Sequence, residues 1–182
     1  DMDPRLVMRA QQGDAAAFDA ITQLVYGRFL QVAYRILRDR HRAEDATQQA
    51  LVTMWQKLPR LRERDRFDSW SHRVLVNHCY KEAKRHRTEP SLEAAREPVA
   101  RDEYGRISDR DLLERAFAGL SVEQRAVVVL HHYLGMTVPE IAEVLDIPLG
   151  TATSRLGRGM ERLRRTLGAE QSSRSLSDGE PA

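Results

Sequence analysis

Between Phe18 and Ile36 the apolar residues Phe18, Ile21, Val25, Phe29, Val32 and Ile36 recur at steps of three and four. At about 100° per residue these positions share one face of an α-helix, whereas a half-buried strand needs strict alternation. No alternating run occurs elsewhere in the chain. With 10 Gly and 7 Pro among 182 residues, and much Ala, Leu, Arg and Glu, local preference agrees with the period. The fold class expected is therefore all-α. One Cys excludes a disulfide framework and any multi-cysteine metal site within the chain. No run approaches the roughly 18 apolar residues of a membrane span. No charged-then-apolar leader opens the chain, which predicts a cytoplasmic protein without membrane insertion.

Start and stop signals divide the chain into two helical blocks. A first helix is expected over Arg5–Gln12. Asp14 then caps a long helix ending near Arg38, and a third runs from about Arg42 until Pro59 stops it. The third carries Ala43, Ala46, Ala50, Leu51, Met54, Trp55 and Leu58 as its apolar stripe. A fourth is expected from Phe67 to Arg87, with Phe67, Trp70, Val74 and His78 facing one way. Residues 89–108 hold Pro90, Pro98 and Gly105 without a sustained period and are assigned as a flexible linker. The second block has three helix starts: Ser108, a capping box of Ser121 with Gln124, and another of Thr137 with Glu140. A tight connection over residues 146–150 leads to a last helix, capped by Thr151 and reaching Leu167. Two small helical domains result, over 1–88 and 109–168, with residues 169–182 as a disordered tail.

Charge sharpens this division. The formal charge is only +2, yet residues 1–88 carry 17 basic against 11 acidic side chains, and residues 151–168 carry five Arg against one Glu. Such asymmetry is the footprint of a polyanion binder, although a solvated helix face produces it too.

The last helix gives this charge a geometry. Leu156, Met160, Leu163 and Leu167 share one face, and Thr151, Arg155, Arg158, Arg162 and Arg165 the opposite one. A short capped helix, a brief turn and a helix with an apolar back and basic front form a helix-turn-helix suited to the major groove of DNA. Thr151, Thr153, Ser154, Arg155 and Arg158 lie where base edges are met; Arg162, Arg164 and Arg165 lie where phosphates or solvent are met. Gly157 and Gly159 cost about 1 kcal/mol each relative to Ala inside a helix. They mark either a close backbone approach or a soft helix.

On the fourth helix Arg73, Asn77, Tyr80 and Lys84 form a polar, aromatic-bearing stripe, extended by Lys81, Arg85 and Arg87. An amide, an aromatic ring and cations suit unpaired DNA. Trp70 is open between a stacking platform and core, and its apolar neighbours favour core. The third helix differs: Glu44, Asp45, Gln48 and Gln49 form an acidic, amide-rich outer face, which suits a protein partner.

Three runs in order carry a resemblance. They are AEDATQQALVTMW from Ala43 to Trp55, FDSWSHRVLVN from Phe67 to Asn77, and MTVPEIAEVLDIPLGTATSRL from Met136 to Leu156. Together they resemble the group IV, or extracytoplasmic-function (ECF), sigma factors of the sigma-70 family, over about residues 5–167. The resemblance implies a bacterial transcription initiation factor. Its partners would be core RNA polymerase (the β and β′ subunits), promoter DNA and an anti-sigma factor. Under it the third-helix face, with Asp45 and Gln48 foremost, grips the polymerase. Arg73, Asn77, Tyr80, Lys81, Lys84 and Arg85 would meet the melted minus-ten strand, Asn77 at the position that captures a flipped base. Thr151, Thr153, Ser154, Arg155 and Arg158 would meet the minus-thirty-five duplex. Ser71, Gln49, Thr153, Gly157 and Gly159 depart from the usual family residues.

Two rival readings remain. A stand-alone helix-turn-helix regulator would bind duplex DNA without polymerase, but leaves the third-helix face without a role. An enzyme would draw on His41, His72, His78, His86, His131, His132 or Cys79. His78 lies on an apolar stripe, adjacent His131 and His132 cannot face one metal from the same side, and no phosphate-binding loop is present. No catalytic residue, metal or cofactor is expected.

Overall fold

The structure is a computed structural model and describes residues 2–88 and 109–177, with side chains described over 2–86 and 112–169. Eight α-helices lie in the described residues: α1 (Pro4–Gln11), α2 (Ala15–Leu37), α3 (Arg40–Lys57), α4 (Phe67–Thr88), α5 (Asp109–Ala118), α6 (Val122–His132), α7 (Val138–Leu145) and α8 (Leu149–Ser177). The residues assigned as linker and the last five of the chain lie outside the described residues.

Short polar side chains set the helix starts by satisfying amide donors that have no partner in the first turn. Asp3 accepts from Arg5 N, Asp14 from Ala17 N at 3.0 Å, and Asp39 from Arg42 N at 3.0 Å. Asp39 starts α3 two residues earlier than its apolar period indicates. Arg38 adopts a left-handed φ of 59° to turn the chain between α2 and α3. Both expected capping boxes form, Ser121 with Gln124 and Thr137 with Glu140. Hydrogen bonding by Thr137 holds the Glu140 carboxyl below its usual pKa.

Packing follows the sequence period where one face is buried. All six stripe residues of α2 are buried, as are Ala43, Ala46, Ala50 and Met54 of α3. Trp55, expected in that stripe, is 41% exposed and lies on the buried Phe18 ring at 4.9 Å. Trp70 packs against the core, 5.9 Å from Phe67. Helix α4 departs most. Leu75, Val76 and Cys79 are buried besides Phe67 and Val74, while His78 is only half-buried and bonds Thr53 Oγ1 at 2.8 Å. The reason is that α4 lies between α2 and α3 on one side and α6 and α7 on the other. A helix buried on two sides carries no single stripe.

The two helical domains pack against each other. One continuous set of buried apolar side chains runs from Val7 in α1 through Leu75 and Val76 to Ile141 in α7 and Ala152 in α8. A smaller cluster of Ala116, Leu120, Val128 and Leu163 joins α5, α6 and α8.

Two expectations for the last helix are corrected. Its first turn is closed by Pro148, whose carbonyl accepts from Thr151 N at 2.9 Å and Ala152 N at 3.1 Å, so Thr151 lies inside the helix rather than capping it. The helix also continues past Leu167 to Ser177, through residues expected to be disordered. Ala169 and Gln171 favour helix, and the next proline is Pro181; Gly168 alone, at about 1 kcal/mol, does not end a helix this long.

Candidate functional site

Three groups of side chains project from this scaffold. On α3, Asp45, Gln48 and Gln49 are exposed. Glu44 is half-buried and accepts from Arg40 Nε at 3.0 Å. The same face continues at steps of four and three into Val52, 50% exposed, and Trp55. An acid-amide strip that ends in two exposed apolar side chains has the make-up of a protein interface. Sequence reasoning missed this apolar end. Trp55 was placed in the core, and Val52 alone breaks no pattern.

On α4, Asn77 and Lys81 are exposed one turn apart, and Lys84 and Arg85 follow on the exposed side. Arg85 pairs with Glu82 at 3.0 Å and lies 3.9 Å from Asp45, so the cationic end of α4 borders the acidic strip of α3. Arg73 and Tyr80 are not open. Arg73 donates to the backbone carbonyls of Glu143 and Val144 at the end of α7, the second at 3.1 Å. Tyr80 is half-buried, and its hydroxyl is enclosed without a hydrogen-bond partner. Burial pushes its phenol well above the usual range, with Arg155 close enough to pull it back in part.

On α8, Thr153 and Arg158 are exposed, and Thr151, Ser154 and Arg155 are half-buried. The Thr153 hydroxyl donates to Leu149 O and the Ser154 hydroxyl to Thr151 O, each at 3.0 Å. Base reading by either requires exchanging that local bond. The two glycines have different roles. A Cβ at Gly159 would stand 3.0 Å from Val128 Cγ2, so Gly159 lets α8 press against α6. A Cβ at Gly157 meets nothing within 4 Å.

The structure therefore keeps the α3 set together, exposed except for the half-buried Glu44, and splits the α4 set. It brings Tyr80 and Arg155, expected on two distant surfaces, into one neighbourhood. Among the described residues no group of three or more His, Cys, Asp or Glu is placed to hold a metal ion. Cys79 is fully buried and its thiol is pushed well above its usual pKa by desolvation, which removes the thiolate a nucleophile needs. No described helix is long and apolar enough to cross a membrane.

Comparison with known proteins agrees with this architecture. The family model "Sigma-70 region 2" matches residues 22–89, and "Sigma-70, region 4" matches residues 110–163. The ECF RNA polymerase sigma factor SigM of Mycobacterium tuberculosis is 32% identical over 169 residues, covering 91% of this chain and 85% of that protein. SigW of Bacillus subtilis, also an ECF RNA polymerase sigma factor, is 28% identical over 184 residues, covering 91% and 97%. Among solved structures, CnrH in complex with the cytosolic domain of CnrY shares the fold with a TM-score of 0.69 at 23% identity, over 93% of this chain and 99% of that one. The sigma factor RpoE of Bartonella quintana, bound to the anti-sigma factor NepR, gives 0.67 at 22% identity, over 83% and 96%. Two sigma-70 regions in order, and a relative matched along most of its length, place this chain in the family of ECF RNA polymerase sigma factors.

Proposed function

We propose that this protein is a transcription initiation subunit that binds core RNA polymerase and selects promoters. The observation that carries the reading is the pairing of an exposed acid-amide face on α3 with a capped helix-turn-helix whose second helix has a basic front. A regulator acting alone has no use for the first. In this division of labour α8 reads the minus-thirty-five duplex. Arg155 and Arg158 supply guanidinium forks that match guanine edges, and Thr151, Thr153 and Ser154 supply hydroxyls. The exposed side of α4 receives the melted minus-ten strand, with Asn77 on a base edge and Lys81, Lys84 and Arg85 on phosphates. Arg73 and Tyr80 complete that surface. Glu44, Asp45, Gln48 and Gln49, extended by Val52 and Trp55, meet the polymerase β and β′ subunits.

Extruding a base costs a few kcal/mol of stacking. Two small DNA contacts cover that cost only when one scaffold fixes their spacing and so raises their effective concentration. The promoter activity thus belongs to the complex with polymerase. Residues 1–88 form the polymerase and minus-ten domain, 89–108 the linker and 109–168 the minus-thirty-five domain. The protein acts in the cytoplasm, where transcription occurs, and has no chemistry of its own. CnrH is seen in complex with the cytosolic domain of CnrY, and RpoE with the anti-sigma factor NepR; an anti-sigma factor is the corresponding partner for this chain.

Run-off transcription with core enzyme tests the reading. Added protein is expected to start RNA chains at defined sites in a promoter library. Duplex binding without any start site overturns it in favour of the stand-alone regulator.

A further inference from the structure

The lysines of the chain are Lys57, Lys81 and Lys84, and all of them lie on α3 and α4. The contacts Thr53–His78, at 2.8 Å, and Asp45–Arg85, at 3.9 Å, set these two helices antiparallel. Lys57 stands one turn past Thr53 on α3, and Lys81 one turn past His78 on α4. In an antiparallel pair those turns run opposite ways, so the two lysines flank the Thr53–His78 contact, about 10 Å apart along the groove. Thr53 and His78 are half-buried and form its floor; both lysines are exposed on its rims. Burial, then Lys81 and Lys57, hold the His78 imidazole below its ordinary pKa, and these lysines are the charged groups that act on it from α4 and α3. Among the described residues no carboxylate pairs with either lysine. Two unpaired cations on one groove repel each other, a cost that an anion between them removes.

We infer that the α3–α4 groove is a phosphate site for single-stranded DNA, in which Lys57 and Thr53 of α3 join Lys81 of α4, and His78 orients the Thr53 hydroxyl. The inference rests on the proposed function, which places the melted strand on α4, and extends the path of that strand onto α3. Asn77, exposed beside His78, holds a base edge while the groove takes the backbone that follows. An ammonium is a compact charge with three donors, suited to a phosphate that needs no fixed fork.

The floor couples this site to a proton. In the free protein His78 is neutral, its Nε2 accepts from the Thr53 hydroxyl, and that hydrogen is turned away from the groove. A phosphate between the lysines favours the imidazolium. The protonated Nε2–H then donates to Thr53 Oγ1, and the hydroxyl hydrogen is free to donate to a phosphate oxygen. One proton is taken from solvent and no bond between heavy atoms changes. Binding therefore raises the His78 pKa. Affinity rises as pH falls through the bound-state value and levels off below the free-state value.

The test uses the full chain and a fluorescein-labelled single-stranded oligodeoxynucleotide of mixed sequence, with binding read by anisotropy. Lys57→Ala is expected to lower the salt slope of log affinity by about 0.7, which is about fivefold weaker binding at about 0.1 M salt. Arg28→Ala, which removes an exposed charge from α2, should change affinity by less than about twofold. Wild type should bind more tightly as pH falls from about 8 to 6, by at most about tenfold per unit, and His78→Gln should lose most of that gain while keeping its affinity at about pH 8. Equal weakening by Lys57→Ala and Arg28→Ala, or a pH gain that survives in His78→Gln, overturns the inference. Should a variant misfold by circular dichroism, acylation of the lysines of wild type, read by mass spectrometry, decides instead. The oligonucleotide is expected to protect Lys57 together with Lys81, and an unprotected Lys57 overturns the inference. Run-off transcription by wild type reports on the proposed function alone, so the two ideas fail separately.

Discussion

Gly157 and Gly159 sit two residues apart in α8, and replacing each with Ala is expected to move stability in opposite directions. The gain in helix preference is shared, at most about 1 kcal/mol for Gly→Ala in a helix interior. At Gly157 the new methyl meets nothing within 4 Å, so most of that gain should be realised. At Gly159 the methyl would lie 3.0 Å from Val128 Cγ2 and 3.7 Å from Gln124 Cβ. Carbon atoms rest at about 3.5–4.0 Å, so the first contact is short by roughly 0.5–1 Å. Val128 is buried, on a helix, and β-branched, which leaves it essentially one χ1 rotamer. Relief then requires separating α8 from α6 and loosening the cluster of Ala116, Leu120, Val128 and Leu163. Overpacking of this kind costs about 1–3 kcal/mol. Net of helix preference, Gly159→Ala should destabilise by about 0–2 kcal/mol. The two variants should differ by about 1–3 kcal/mol, or about 2–12 °C in melting midpoint for a chain of this size. Thermal and urea unfolding followed by circular dichroism measure both. Equal stabilisation by the two substitutions would refute the close approach of α8 and α6.

Asp45→Arg should weaken association with core polymerase while leaving duplex affinity of the full chain within about twofold, since the ion pair it breaks, to the exposed Arg85 at 3.9 Å, is weak. Native binding assays measure each, and unchanged core association would remove Asp45 from the interface. Arg155→Ala should lower promoter use through the upstream element by about 1–3 kcal/mol if its fork spans a guanine edge; start-site competition between promoters with intact and scrambled upstream elements measures it, and an unaltered preference refutes the contact. His72 should make the fold acid-sensitive. Burial holds its imidazole pKa below the ordinary value, although Nδ1 bonds Asp68 O at 2.7 Å. Above that ordinary value, about 6.5, both states are neutral. As pH falls below it the unfolded chain takes up a proton that the native one resists, so stability declines by at most about 1.4 kcal/mol per pH unit until the depressed native pKa is reached. His72→Asn should flatten urea-derived stability between about pH 6.5 and 5.5, and an unaltered slope would refute the buried neutral imidazole.

The helices legible in the sequence are those whose burial is one-sided or whose ends carry their own chemistry. Phe18 to Ile36 form a stripe because α2 turns a single face to its neighbours. Ser121 with Gln124 and Thr137 with Glu140 mark starts because the capping bond is local and needs nothing from the rest of the fold. The basic front of α8 was legible for the same reason: five arginines against one glutamate within 18 residues leave few other placements. The errors arise where a second partner competes with the one that the pattern suggests, whether it lies near in sequence or far. Thr151 looked like a cap, but the Pro148 carbonyl closes the turn first. Trp55 matched an apolar period, yet only the position of α2 decides that it rests on Phe18 with its other side exposed.

Helix α4 shows why the packing of the second half against the first was not legible. Its residues satisfy two patterns at once: a core stripe through Phe67 and Val74, and a polar stripe through Arg73, Asn77, Tyr80 and Lys84. Read alone, the polar stripe is a surface. In the fold Arg73 bonds the end of α7 and Tyr80 is half-buried, while Asn77 and Lys84 stay exposed. Leu75, Val76 and Cys79 record that second burial, since they fall outside the first stripe and are still apolar.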